Sequence, residues 1–270
     1  MLALLTACSS SASSVRSSSR RADVLVFTAH PDDESMYAGG ILSYLRDQQR
    51  KIVLAVLTHG EGGMLLLRGN EGEMVEVRDQ PRWKVARIRD RELHHVARQL
   101  HADLLYLFKA DDGLDFEFTT SPEHTLAYWQ AHVPGGLRTI EHRIRDTVLA
   151  YRPRVVLSMD VRDDPSGTKH GHHRAIGMLV ERALSKLPQC TPHERWSFAP
   201  KDMKPDMSVR VEVSERLTLL HAHASQFDVE ALQGPGSRPD EGFMLVHSCD
   251  ARREPDKTLL VSWLRLATGR

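Results

Sequence analysis

From residue 23 onward, short apolar runs alternate with longer amphipathic segments, and several of the apolar runs end in a burst of charge or glycine. That alternation is the strongest constraint on the fold. The runs "VLVFTA" (24–29), "KIVLAVLT" (51–58), "DLLYLF" (103–108) and "RVVLSM" (154–159) have the continuity of strands buried on both faces. The stretches 34–49, 82–100, 137–151 and 172–187 space their apolar residues for helices. Strands alternating with helices predict an α/β fold: a Rossmann-like, mostly parallel sheet with helices on both faces. The pattern has no internal repeat or long linker, so a single domain over residues 23–270 is expected, with loop insertions at the active-site edge.

Sheets of this kind place ligands beyond the carboxyl ends of their strands. The bursts "HPDDE" (30–34), "THGEGG" (58–63) and "DVRDDPSGTKHGHH" (160–173) each follow an expected strand, so all three should meet at one edge. Turn formation alone needs an Asp or Asn and a Pro or Gly, not four ionisable side chains around one proline. His30 and Asp33 lie three apart at the start of a helix, and His170 and His173 repeat the spacing. Two histidine nitrogens and one carboxylate oxygen suit Zn²⁺ and leave a fourth position open, as catalytic sites require. Iron, cobalt or nickel accept the same ligands. Cys8, Cys190 and Cys249 show no Cys-x-x-Cys spacing and are too few for a disulfide framework, so any metal must use His and carboxylates. No Gly-x-Gly-x-x-Gly follows a strand, which argues against a dinucleotide site.

Taken in order, "AHPDDE", "THGEGG", "IRDRELHHVARQL", "HGHHRAIG" and "HAHASQ" resemble the landmarks of the LmbE/PIG-L-like zinc-dependent deacetylases, which remove acetyl from N-acetylglucosamine in larger conjugates. The resemblance covers about residues 23 to 247. It implies that His30, Asp33 and His173 hold Zn²⁺ and that Asp32 is the general base, reaching the water rather than the metal because neighbouring side chains diverge. It further implies that His170 steadies the oxyanion and protonates the leaving amine, and that Arg89 binds sugar hydroxyls. Relatives commonly carry Asp immediately before the last His of "HGHH"; here that position is His172, so Asp160, Asp163 and Asp164 become candidates for the missing carboxylate. Glu34 reads as a first-turn helix acid, His94 and His95 as surface or packing residues, and His223 as a helix-face residue at the pocket rim.

Two insertions, 60–81 and 111–136, carry "MLLL" and "FEF", and Leu66 and Phe116 are candidates for a wall against a bulky substrate. The expected reaction is hydrolysis of the N-acetyl group of a glycosylated secondary metabolite, for instance a glycopeptide-antibiotic pseudoaglycone. Deacetylation of a thiol-cofactor or glycolipid precursor, acyl transfer at the same metal site, and a non-catalytic glycan-binding module are the alternatives. Lys plus Arg equals Asp plus Glu at 36 each, so no net field draws nucleic acid, and a small-molecule glycoconjugate is the expected partner. No apolar run is long enough for stable membrane insertion, and no feature sets an oligomeric state. Residues 1–22 read as a flexible or signal-like segment. Within it "LTAC" resembles a lipoprotein cleavage box at Cys8, without the basic start of an export signal, which leaves both cytoplasmic and exported locations open.

Overall fold

A computed structural model describes residues 21–77, 79–110, 121–162, 171–200, 203–227, 240–249 and 255–268. Three apolar runs become strands with every residue buried: β1 (Val24–Thr28), β2 (Ile52–Thr58) and β6 (Val155–Ser158). A strand buried on both faces needs parallel neighbours joined by covering helices. Here β1 pairs in parallel with β2 and with β6, β2 with β5 (Asp103–Ala110), and β6 with β7 (Glu194–Phe198). The seven-stranded order is β5-β2-β1-β6-β7-β9-β8, the last two pairings being antiparallel through β9 (Asp240–Ser248) and β8 (Met207–Arg210). The expected α/β architecture is therefore the one observed, with an antiparallel extension on one side.

The helices form two packed groups. One contains α1 (Asp33–Asp47), α2 (Arg82–Gln99) and α6 (Val213–Ala222); the other contains α3 (Pro122–His132), α4 (Gly136–Tyr151) and α5 (Gly171–Leu184). A last helix, α7 (Leu259–Thr268), follows β9. Among the described residues no helix is long and apolar enough to cross a membrane.

The insertions have more structure than the sequence pattern suggests. Residues 60–81 contain a hairpin, β3 (Leu65–Arg68) against β4 (Met74–Val77), and most of the second insertion's described part is α3. Cys190 and Cys249 form one disulfide, so the low cysteine count excludes a framework but not a bridge.

Helix α1 is gripped from the antiparallel extension. The Glu241 carboxylate accepts the backbone N–H of Gly40 (2.7 Å) and Ile41 (2.9 Å), although both lie in the middle of the helix. A Cβ at Gly40 would meet Val211 at 2.3 Å, so only glycine lets α1 approach this closely.

Strand β1 connects to β2 on one side, while β6 lies on its other side. The order thus reverses between β1 and β6, and the crevice beyond their carboxyl ends is where such a sheet admits a ligand.

Candidate active site

That crevice receives the end of β1, the start of α1 and the start of α5. His30, Asp33 and His173 converge there, all buried, with their ligand atoms within 4.8 Å of one another. Local hydrogen bonding aims the carboxylate. Asp33 Oδ2 accepts the backbone N–H of Ala29 (3.0 Å) and His30 (2.9 Å), which presents Oδ1 to His173 Nε2 at 2.9 Å. Burial alone would raise the Asp33 pKa, but His173 and His30 hold it well below the usual carboxylate range. An ionised carboxylate flanked by two imidazoles is a donor set that suits Zn²⁺.

The His30 ring is oriented through Nε2. Its Nδ1 lies 3.6 Å from Asp33 Oδ2, and its Nε2 is 2.8 Å from Nδ1 of the buried His172. One ring must donate to the other, so His172 fixes the orientation of His30 much as a carboxylate does around a metal ligand, but without the negative charge. The glycine of "HGHH" also has a role: a Cβ on Gly171 would come within 2.4 Å of the Ser121 carbonyl, so its absence lets α5 enter beside α3.

Asp32 is the strained residue of the site, with φ 111° and ψ −28°. Such a backbone persists in a non-glycine residue only where the surroundings over-determine it. Here Glu34 Oε2 accepts the Asp32 N–H (3.2 Å), while Arg89 Nη2 donates to Pro31 O (2.7 Å) and to Asp32 Oδ2 (3.2 Å). Asp32 Oδ1 carries no hydrogen bond among the described residues. Burial, aided by Asp33, pushes the Asp32 pKa up to about 7 against the pull of Arg89, His223 and His30. A carboxylate with one free oxygen and a proton affinity near neutrality is suited to general base work.

Arg89, expected as a sugar-hydroxyl ligand, lies beside Asp32. It is buried, and both terminal nitrogens are engaged within the protein, Nη1 on Gly60 O (2.8 Å) and Nη2 as above. The glycines of "THGEGG" make room for it, since a Cβ at Gly60 or Gly63 would lie 2.3 or 2.7 Å from Nη1. His223, expected at a pocket rim, is instead fully buried, with Nε2 2.8 Å from Glu34 Oε1. Burial disfavours its charge, but Glu34, Asp32 and Glu92 together raise its pKa. Glu34 does lie in the first turn of α1, yet its carboxylate serves His223, Ser35 and the Asp32 N–H rather than solvent.

Leu66 is half-buried in β3 and donates its N–H to Ser225 O; the exposed residues of that strand are Leu67 and Arg68. His94 and His95 are exposed, the surface rather than the packing alternative. Asp160 is committed to Arg162 and Ser197, and His170, Phe116, Asp163 and Asp164 lie outside the described residues. One cluster has no counterpart in the sequence reading. His59 Nδ1 meets Asp90 Oδ1 at 2.5 Å, Tyr106 donates to the same oxygen at 2.7 Å, and the two rings stack at 4.3 Å. Burial would raise the Asp90 pKa, but these two hydrogen bonds lower it. His59 and Asp90 sit within the quoted motifs, but nothing in the local pattern pairs residues 31 apart.

A family model described as PIG-L, GlcNAc-PI de-N-acetylase, matches residues 25–184, the span that carries the three candidate ligands and Asp32. The chain belongs to the PIG-L family. A Bacillus anthracis member described as "Probable N-acetyl-alpha-D-glucosaminyl L-malate deacetylase 2" is 31% identical over 219 residues, 76% of this chain and 81% of that protein. The 1D-myo-inositol 2-acetamido-2-deoxy-alpha-D-glucopyranoside deacetylase of Acidothermus cellulolyticus is 28% identical over 240 residues, 87% of this chain and 76% of that one. Among solved structures, the N,N'-diacetylchitobiose deacetylase of Pyrococcus horikoshii superposes with a TM-score of 0.56 at 20% identity, covering 83% of this chain and 84% of that chain. That likeness reports the fold; the PIG-L match and the donor set carry the chemistry.

Proposed function

We propose that this protein hydrolyses the acetamide of an N-acetylglucosamine-containing conjugate, using one divalent metal held by His30, Asp33 and His173. The observation that carries the reading is the free Oδ1 of strained, buried Asp32 beside that donor set. Zn²⁺ is the metal that the ligand types favour, and when bound it would polarise the acetyl carbonyl and acidify water. The chain supplies the remainder. Arg89 fixes Oδ2, so Oδ1 of Asp32 is the atom that takes the proton from the attacking water. The C–N bond then breaks, the amine leaves with a proton, and acetate is the second product. His170, from its place in the motif, is assigned to the oxyanion and to protonation of that amine.

The conjugate is proposed to be a glycosylated secondary metabolite with an apolar aglycone, such as a glycopeptide-antibiotic precursor. Leu67 and Val75 stand directly opposite each other in the β3–β4 hairpin and are both exposed, an apolar pair beyond the loop that houses Arg89. Burying one such side chain on a ligand is worth about 1.5–3 kcal/mol. Acetate release from N-acetylglucosaminides with apolar and with small polar aglycones tests both levels. Turnover of neither class would remove the deacetylase reading. Turnover of both with equal kcat/KM, unchanged by Leu67→Ser, would remove only the apolar aglycone.

A further inference from the structure

The metal site leaves the amino edge of the sheet without a function. A cavity of about 500 Å³ opens there, lined by Arg21, Arg152, Arg154, His193, Cys190 and Leu149 among others, and by no carboxylate. Arg21 precedes β1, Arg152 and Arg154 lead into β6, and residues 190–193 lead into β7, so the cavity sits under the amino ends of three strands, with β6 between the other two. The nearby acids are committed elsewhere. Asp23 Oδ2 accepts the Lys51 N–H (3.0 Å) and its Oδ1 lies 3.9 Å from Arg50. Glu194 accepts from Trp196 Nε1 (3.2 Å) and from the backbone N–H of Leu259 and Leu260 at the start of α7. Among the described residues no carboxylate pairs with Arg21, Arg152 or Arg154.

The walls are preformed. The Arg154 guanidinium carbon lies over the ring of the buried Trp263, 5.3 Å from its centroid, a cation–π contact that holds the side chain at the wall. Cys190 is tied to Cys249 at the end of β9, so the wall at 190–193 is bonded to the sheet. Three guanidiniums around one space, with no carboxylate paired to them among the described residues, repel one another, and a multiply charged anion would relieve that repulsion. Their planar forks match phosphate oxygens.

We propose that this cavity binds a phosphate group carried on a small organic moiety, a site separate from the metal crevice and independent of the proposed deacetylation. The phosphate has two sources, a soluble phosphate ester or the headgroup of an anionic phospholipid. The full chain would be titrated calorimetrically with inorganic phosphate and pyrophosphate, and sedimented with vesicles of phosphatidylglycerol or of phosphatidylcholine. Wild-type protein should bind at least one phosphate probe, more weakly as salt rises. Arg152→Gln with Arg154→Gln should weaken that binding by about tenfold or more, whereas Arg98→Gln, an exposed charge on α2, should not. Pyrophosphate binding without vesicle binding would assign a soluble ester; sedimentation with phosphatidylglycerol alone, lost in the double variant, would assign the headgroup. No binding to any probe by the wild type, or undiminished binding by the double variant, overturns the proposal. Arg152→Gln alone, at an exposed position, gives a second reading if the double variant melts early.

Discussion

At the carboxyl edge of the sheet three cationic or ring-nitrogen groups each face an acid: Arg89 meets Asp32, His223 meets Glu34 and His59 meets Asp90. At the amino edge Arg21, Arg152 and Arg154 line one space, and among the described residues no acid pairs with them. Equal totals of 36 basic and 36 acidic residues conceal this sorting. One edge uses charge to hold a strained carboxylate in place, and its pairs are closed systems. The other leaves its charge open. Substitutions at the first edge should therefore be expensive in activity or stability, and those at the second should be felt in binding.

The largest effect is expected at Asp32. Asp32→Asn keeps the shape but cannot accept the water proton, so turnover should fall about 10²- to 10⁴-fold with metal content unchanged. His173→Ala should lose metal instead, read by elemental analysis. Full metal occupancy in His173→Ala, or near-normal turnover in Asp32→Asn, would dissolve the assigned division of labour. Next comes Arg89→Met, which strands the Asp32 carboxylate in a buried site. Breaking such a pair costs about 3–5 kcal/mol, and a denaturant midpoint equal to wild type would show that the pair does not matter.

Cys190→Ser probes the opposite edge. Removing the bridge across a sequence separation of 59 residues should cost about 2–4 kcal/mol, while metal content, determined at the other edge, stays intact. His223→Asn is expected to cost least, about 1–3 kcal/mol, through an under-satisfied Glu34. Because the folded pKa of His223 is raised above 6.5, its contribution is fully present below that pH and is lost as pH rises through the folded value. The stability gap between wild type and His223→Asn should therefore narrow on going alkaline. A gap that widened would reverse the assignment of charge to this pair.

Much of the scaffold was readable because burial on both faces leaves a strong mark. The apolar runs predicted β1, β2 and β6 to within a residue at each end, and the charge bursts after β1 and β6 offered His30, Asp33, His170 and His173, from which the family resemblance picked His30, Asp33 and His173, the set that converges. What failed to show was depth and distance. The alternation in "HAHASQ" identifies a helix face but not that His223 would be buried against Glu34, 189 residues away. Arg89 is expected to face a sugar, and no local pattern shows that the loop of Gly60 and Gly63 closes over its guanidinium. The β3–β4 hairpin stayed hidden because four-residue strands, half exposed, leave too short a pattern.

The grip of Glu241 and Val211 on α1 bears on where this enzyme could be cut. The PIG-L match ends at residue 184, yet the helix that presents Asp33 is fastened at its middle by a carboxylate 57 positions beyond that boundary. The antiparallel strands are thus no detachable appendage, and a chain shortened to the matched span would retain every proposed ligand while losing the brace that aligns them. Modularity read from the extent of the family match alone would place the seam in the wrong part of this molecule.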